Sequence, residues 1–165
     1  MLIENIGKRD GNSGSKFRNG DTLFARITPC LENGKTGFVQ FLPNDEVSAF
    51  GSTEFIVLRS RTLTPELVYL LARSDAFREN AIKSMSGASG RQRVREACFN
   101  TFYLANPDQE TLIKFGEIVR PMFKLAHSLS QKNLNLRTTR DLLLPKLISG
   151  EIDVSSLPEP EAVAP

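Results

Sequence analysis

The sequence predicts an α+β protein: a small, mixed, β-rich domain followed by a long, projecting, coiled-coil-like α-helix. Three observations lead there. Short β-type runs separated by Gly, Pro and Asn turns fill residues 21 to 58. Helical signals take over at Thr64. From Leu112 to Leu147 apolar residues recur at spacings of three and four.

The opening residues, 1 to 19, pass from a short apolar Met1-Leu2-Ile3 into a Gly-, Ser- and Asn-rich stretch that reads as loop. A strand is expected over 22–27, ended by Thr28-Pro29. Gly34 and Gly37 bracket a turn before a second strand, 38–42, and Pro43-Asn44-Asp45 makes the next turn. Glu54-Phe55-Ile56-Val57-Leu58 is a third strand, and its apolar run predicts burial on both faces. Thr64 is placed to cap a helix, with Pro65 at its first position and Glu66 in its first turn. Ser74-Asp75 opens a second short helix reaching to about Met85. Residues 101–105 read as a last short strand.

Asn106 is read as the cap of the longest element, with Pro107 at N1 and Gln109 at N3. One half of its seam is Leu112, Val119, Ala126, Asn133, Arg140 and Leu147. The other half is Phe115, Met122, Leu129, Leu136 and Leu143. That is about five heptads. Roughly 40 residues at 1.5 Å each extend about 60 Å, whereas a domain of about 105 residues has a radius of gyration near 13 Å. Such a helix must project, and its seam needs a partner. Asn133 and Arg140 in the seam specify register or partner at some cost in stability. Pro121 and Pro145 are expected to kink the helix, and Gly150 to cap it. The organisation is therefore domain 1–105, helix 106–150 and a disordered tail 151–165 rich in Pro, Glu and Ala.

Composition narrows the function. Across 165 residues, 21 Lys and Arg against 19 Asp and Glu leave a charge of only +2, which excludes a bulk polycation. Two cysteines and one histidine exclude a disulfide framework and leave almost no room for a zinc site of Cys and His alone. No nucleotide, P-loop, GxSxG or HExxH pattern occurs. His127 reads as a solvated or interface residue, Cys30 as a bystander thiol and Cys98 as packing. No catalytic activity, cofactor or metal is expected. No apolar run approaches the roughly 20 residues that cross a bilayer, and no secretory signal opens the chain, so no membrane association and a cytoplasmic location are expected.

The basic residues cluster instead. Arg91, Arg93 and Arg95 follow a small-residue loop, Ser86-Gly87-Ala88-Ser89-Gly90, with Gln92 between them. Such a loop lets backbone N–H groups and guanidinium forks approach phosphates or guanine edges. Arg26 with Thr28 at a strand end, Lys35 in a turn and Ser52 before a strand supply a second edge. The candidate DNA-binding set is Arg26, Thr28, Lys35, Ser52, Ser89, Arg91, Gln92 and Arg93.

Gly20-Asp21-Thr22-Leu23-Phe24-Ala25-Arg26-Ile27-Thr28-Pro29-Cys30-Leu31-Glu32-Asn33-Gly34-Lys35 resembles a block of the specificity subunits of type I restriction–modification systems. Gly51-Ser52-Thr53-Glu54-Phe55-Ile56-Val57-Leu58-Arg59 resembles a second block, and Ser89-Gly90-Arg91-Gln92-Arg93-Val94 a third. Leu143-Leu144-Pro145-Lys146-Leu147-Ile148-Ser149-Gly150-Glu151-Ile152 is similar to the ending of their helices. The blocks occur in family order over residues 20–152.

The resemblance implies a target recognition domain followed by a conserved-region helix, in a subunit that catalyses nothing. In that family two such units lie head to tail, their helices pack antiparallel, and each domain reads half of a split site in double-stranded DNA. The helices also hold the methyltransferase (modification) subunits. This chain carries one unit of each kind, and the segment that family members place before Leu2-Ile3-Glu4 is expected to be missing. The leading expectation is a DNA-recognition and assembly subunit, or half of one, that homodimerises through Leu112, Phe115, Val119, Met122, Leu129, Asn133, Leu136, Leu143 and Leu147. The alternative is a truncated interaction module that dimerises or sequesters the methyltransferase subunit without specific DNA binding.

Overall fold

The computed structural model describes residues 7, 13–155 and 158. The expected strand-like opening Met1-Leu2-Ile3 and most of the expected disordered tail lie outside the described residues. Among the described residues, five strands, β1 (Ser15–Phe17), β2 (Thr22–Ala25), β3 (Thr36–Phe38), β4 (Ala49–Gly51) and β5 (Phe55–Leu58), precede three α-helices, α1 (Pro65–Arg73), α2 (Asp75–Lys83) and α3 (Gln109–Ile148). The fold is α+β, with small antiparallel sheets and a long C-terminal helix.

The larger sheet has the order β3-β2-β5, all antiparallel, with Phe24 opposite both Thr36 and Ile56. Successive side chains of a strand point to opposite faces, and both faces here are covered. Phe24 and Ile56 join a core with Leu31, Ala72, Phe77, Ala81 and Val94. Leu23 joins a second core with Phe17 and Val39, flanked by Phe55 and Val57. That is why β5 is apolar without alternation. Phe77 packs edge-on against Phe24 and stacks on Phe99.

The other sheet pairs β1 with β4, in stretches that read as loop or turn. Gly14 opens it at φ +112°, where a Cβ would fall 1.8 Å from the Gly51 carbonyl oxygen. Only glycine permits this approach. Pairing between distant segments, not local propensity, makes these strands.

Caps behave as local chemistry demands at α1 and α2. Thr64 Oγ1 accepts from Leu67 N, and Ser74 Oγ accepts from Phe77 N. At α3 the expected cap is corrected. Asp108, not Asn106, caps the helix: its Oδ1 accepts from Thr111 N at 2.7 Å, and its carbonyl from Leu112 N. A carboxylate two residues further on is the better acceptor facing the positive helix end. The expected strand at 101–105 is also corrected. A 3₁₀ turn occupies Glu96–Thr101, and residues 102–108 after it are irregular. The strand expected at 38–42 instead occupies Thr36–Phe38, where it meets β2.

The first compact unit runs through Leu125 and the second starts at Ala126. The opening turns of α3 thus belong to the first unit. Leu112 is 6% exposed, and Gly116 is buried near Thr64. Phe115 and Val119 are half-buried. This corrects the expected partner seam at its start, because Leu112 is consumed by its own domain. Phe123, outside that seam, completes an aromatic triangle with Phe38 and Tyr69, at centroid separations of 5.0 and 5.5 Å. Arg120 reaches the buried Glu66 at 3.4 Å. In the second unit the helix continues through Pro145 to Ile148, and Gly150 follows it at φ +73°. Leu129 and Leu136 there are 54% and 68% exposed.

Candidate nucleic-acid interface

The end of the three-stranded sheet collects the end of β2 and the starts of β3 and β5. Ala25 N donates to the Lys35 carbonyl, and Arg26 N to the Glu54 carbonyl at 3.0 Å. Lys35, Arg26 and Glu54 thus share one end of the sheet. Beyond Arg26 the chain pairs with residues 92–94: Val94 N donates to Arg26 O, and Thr28 N to Gln92 O. Gln92 N in turn donates to Thr28 Oγ1 at 3.1 Å.

The Ser/Gly loop is closed on itself. Ser86 and Arg93 exchange both backbone hydrogen bonds, at 3.0 and 2.9 Å, and Arg91 N donates to Ala88 O. Gly87 and Gly90 turn the chain at positive φ. The result is a strap tied at its base to Ile27 and Thr28. Its closing strand-like stretch alternates: Val94 is buried in the main core, while Arg91, Arg93 and Arg95 are exposed. Arg93 and Arg95 thus flank a buried residue and stay exposed, and Arg91 is exposed at the turn of the loop.

Their guanidinium groups differ in engagement. Arg93 forks onto Glu54, with Nε at 3.1 and 3.0 Å from its two oxygens and Nη2 at 2.6 Å from Oε1. This hydrogen bonding by Arg93 holds the Glu54 carboxyl below the usual carboxylate range, against the opposing effect of burial and with further help from the charges of Arg93 and Arg26. Arg26 Nη1 lies 3.6 Å from Glu96 Oε1. Arg95 Nε donates to Ser86 Oγ at 2.9 Å. Arg91 is exposed and enters no ion pair among the described residues.

The sequence-predicted residues converge in part. Arg26, Thr28, Gln92 and Arg93 meet at the strap base, with Ser89 and Arg91 on the exposed strap above it. Lys35 is exposed at the same sheet end. Ser52 Oγ accepts from Glu54 N, so it shapes the turn that delivers Glu54. Thr28 is 8% exposed, and its hydroxyl accepts from the strap backbone. Glu54 and Glu96 were missed. Nothing local marks them, since their partners lie far along the chain or across the strap. Among the described residues no group of His, Cys, Asp and Glu could hold a metal ion. No helix there is long and apolar enough to cross a membrane. Cys30 and Cys98 are free thiols packed against the main core.

No family model matches the chain. Curated relatives do. The chain is 27% identical over 149 residues to the type I restriction enzyme EcoAI specificity subunit of Escherichia coli, covering 87% of the chain and 24% of that protein. It is 27% identical over 148 residues to the EcoEI specificity subunit of the same organism, with coverage of 87% and 24%. It is 29% identical over 87 residues to the HindI specificity subunit of Haemophilus influenzae, covering 53% of the chain and 19% of that protein. The chain is thus similar to type I specificity subunits, and it spans about a quarter of the length of the first two of these relatives.

Proposed function

We propose that the chain is the DNA-reading and assembly piece of a type I restriction–modification complex. It reads half of a split site in double-stranded DNA and docks methyltransferase subunits along α3, two copies pairing through that helix. The observation that carries this reading is the convergence of Arg26, Lys35, Arg91 and Arg93 on one sheet end and the strap pinned to it. A pinned strap presents guanidinium forks with little ordering cost on binding, which suits bidentate contact with guanine or phosphate. The likeness to type I specificity subunits supports the same reading.

In this mechanism Arg91 and Lys35 engage phosphates first, and Arg93 with Gln92 approaches base edges in the major groove. Thr28 holds the strap. The test is a duplex titration by fluorescence anisotropy across a salt series. Arg91→Ala with Lys35→Ala is expected to weaken binding and flatten the slope of log K against log salt by about two. An unchanged slope overturns the assignment.

A second reading is an interaction module without specific DNA binding. It is favoured by the carboxylate partners of Arg26 and Arg93, which lower the free positive charge of the surface. Retained capture of a methyltransferase subunit, with no duplex binding at low salt, selects it.

A further inference from the structure

Two of the arginines at the strap base already hold carboxylates. We propose that Glu54 and Glu96 are specificity-determining guards: they keep the Arg93 and Arg26 guanidinium groups from bare phosphate and release them only to a matched base edge. The inference rests on the DNA-binding reading above.

Glu54 presents to Arg93 two adjacent acceptors, as two phosphate oxygens or the O6 and N7 of a guanine edge do. Its position is built. Ser52 Oγ accepts its N–H, and its carbonyl accepts from Arg26 N. Arg26 is held less well. Its single carboxylate approach is 3.6 Å, and its Nε is enclosed without a hydrogen-bond partner. One guanidinium is thus bonded to its guard through two of its nitrogens, and the other approaches its guard through one.

Both bridges retain solvent contact, with side chains 49% and 29% exposed for Arg93 and Glu54 and 36% and 59% for Arg26 and Glu96. Exchange is therefore inexpensive, because bridges between exposed groups are individually weak. An isolated phosphate offers Arg93 no more than Glu54 does. A guanine edge backed by neighbouring phosphate contacts offers more. Non-specific duplex would then draw mainly on Arg91 and Lys35, while a matched site also recruits Arg93 and Arg26. A repulsive carboxylate facing the DNA raises discrimination by penalising the wrong partner.

The test uses the full chain and a mixed-sequence duplex, titrated across a salt series. Glu54→Gln keeps the shape and removes the charge. It is expected to tighten non-specific binding roughly twofold to fivefold and steepen the salt slope by about one. Glu96→Gln should shift both in the same direction by less, and the double variant by the most. Unchanged or weaker binding by Glu54→Gln, alongside weakened binding by Arg91→Ala, overturns the guards and leaves the DNA-binding reading standing. Failure of the wild-type chain to bind any duplex at low salt overturns both. Circular dichroism confirms that each variant folds. Should Glu54→Gln fail to fold, Glu96→Gln, whose side chain is largely in solvent, decides the question by the same readouts.

Discussion

Asp21, 1% exposed at the entry to β2, receives the Nε and Nη2 of Arg59 at 2.8 and 2.7 Å. The same carboxylate accepts from Arg18 N at 2.8 Å. One side chain thereby ties the turn before β2 to the end of β5. Removing one partner of such a pair leaves a buried charge, whereas neutralising the carboxylate does not. Arg59→Ala is expected to destabilise the chain by about 2 kcal/mol, below the value for a fully buried pair because Arg59 is partly in solvent. Asp21→Asn should restore part of that loss in the Arg59→Ala background. Urea unfolding of the two single variants and the double variant measures this, and strictly additive effects would show that the pair is not coupled.

The junction of α3 with the first unit rests on Phe123 against Phe38 and Tyr69. Phe123→Ala is expected to cost about 2 kcal/mol, less than for a wholly enclosed ring because Phe123 is half-buried. Met122, its neighbour, is 60% exposed. Met122→Ala should change stability by less than about 0.5 kcal/mol. Equal effects of the two would mean that the ring triangle does not hold the helix.

Asp108 gives α3 a pH dependence. Its carboxyl is held below the ordinary aspartate range, chiefly by the backbone N–H of Thr111 and then by the Thr111 side chain. A depressed folded value means that the unfolded chain takes up the proton first as the pH falls. The stabilisation is complete above the unfolded aspartate range and is lost as the pH drops through the folded value. Followed by circular dichroism and urea unfolding through an acid titration, the stability difference between wild type and Asp108→Asn should shrink toward zero at the acid end. A constant difference across the titration would remove the carboxylate from the cap.

Leu129 and Leu136 carry the helix-pairing part of the proposed function. Both are exposed in the single chain, so substitution should leave the first unit's stability unchanged. Leu129→Asp with Leu136→Asp is expected to convert a dimer into a monomer in sedimentation or light scattering. A mass unaffected by the pair of changes would rule out this face as the contact.

Much of the fold is legible because its signals are local. Thr64 and Ser74 cap their helices through atoms three residues away, so the caps can be read in place. The apolar run of β5 correctly implies two covered faces. The strands β1 and β4 are not legible, because Lys16 faces Phe50 only when distant segments meet. The cap of α3 is misplaced by two residues because Asn106 and Asp108 are both good capping types. The candidate site divides in the same way. Arg91 and Arg93 stand out by type and spacing, whereas Glu54 and Glu96 acquire meaning only beside Arg93 and Arg26.

Sequence alone was enough for the class, the order of the helices and the clustering of three arginines after a small-residue loop, because periodicity, capping and local composition act within a few residues. Tertiary structure decided which of those groups are free. It spent Leu112 in the first unit's own core, gave Thr28 to the strap backbone and placed a carboxylate on Arg93. Burial and charge pairing are set by the residues that arrive from elsewhere in the chain, and a residue's own neighbours in sequence carry no record of them.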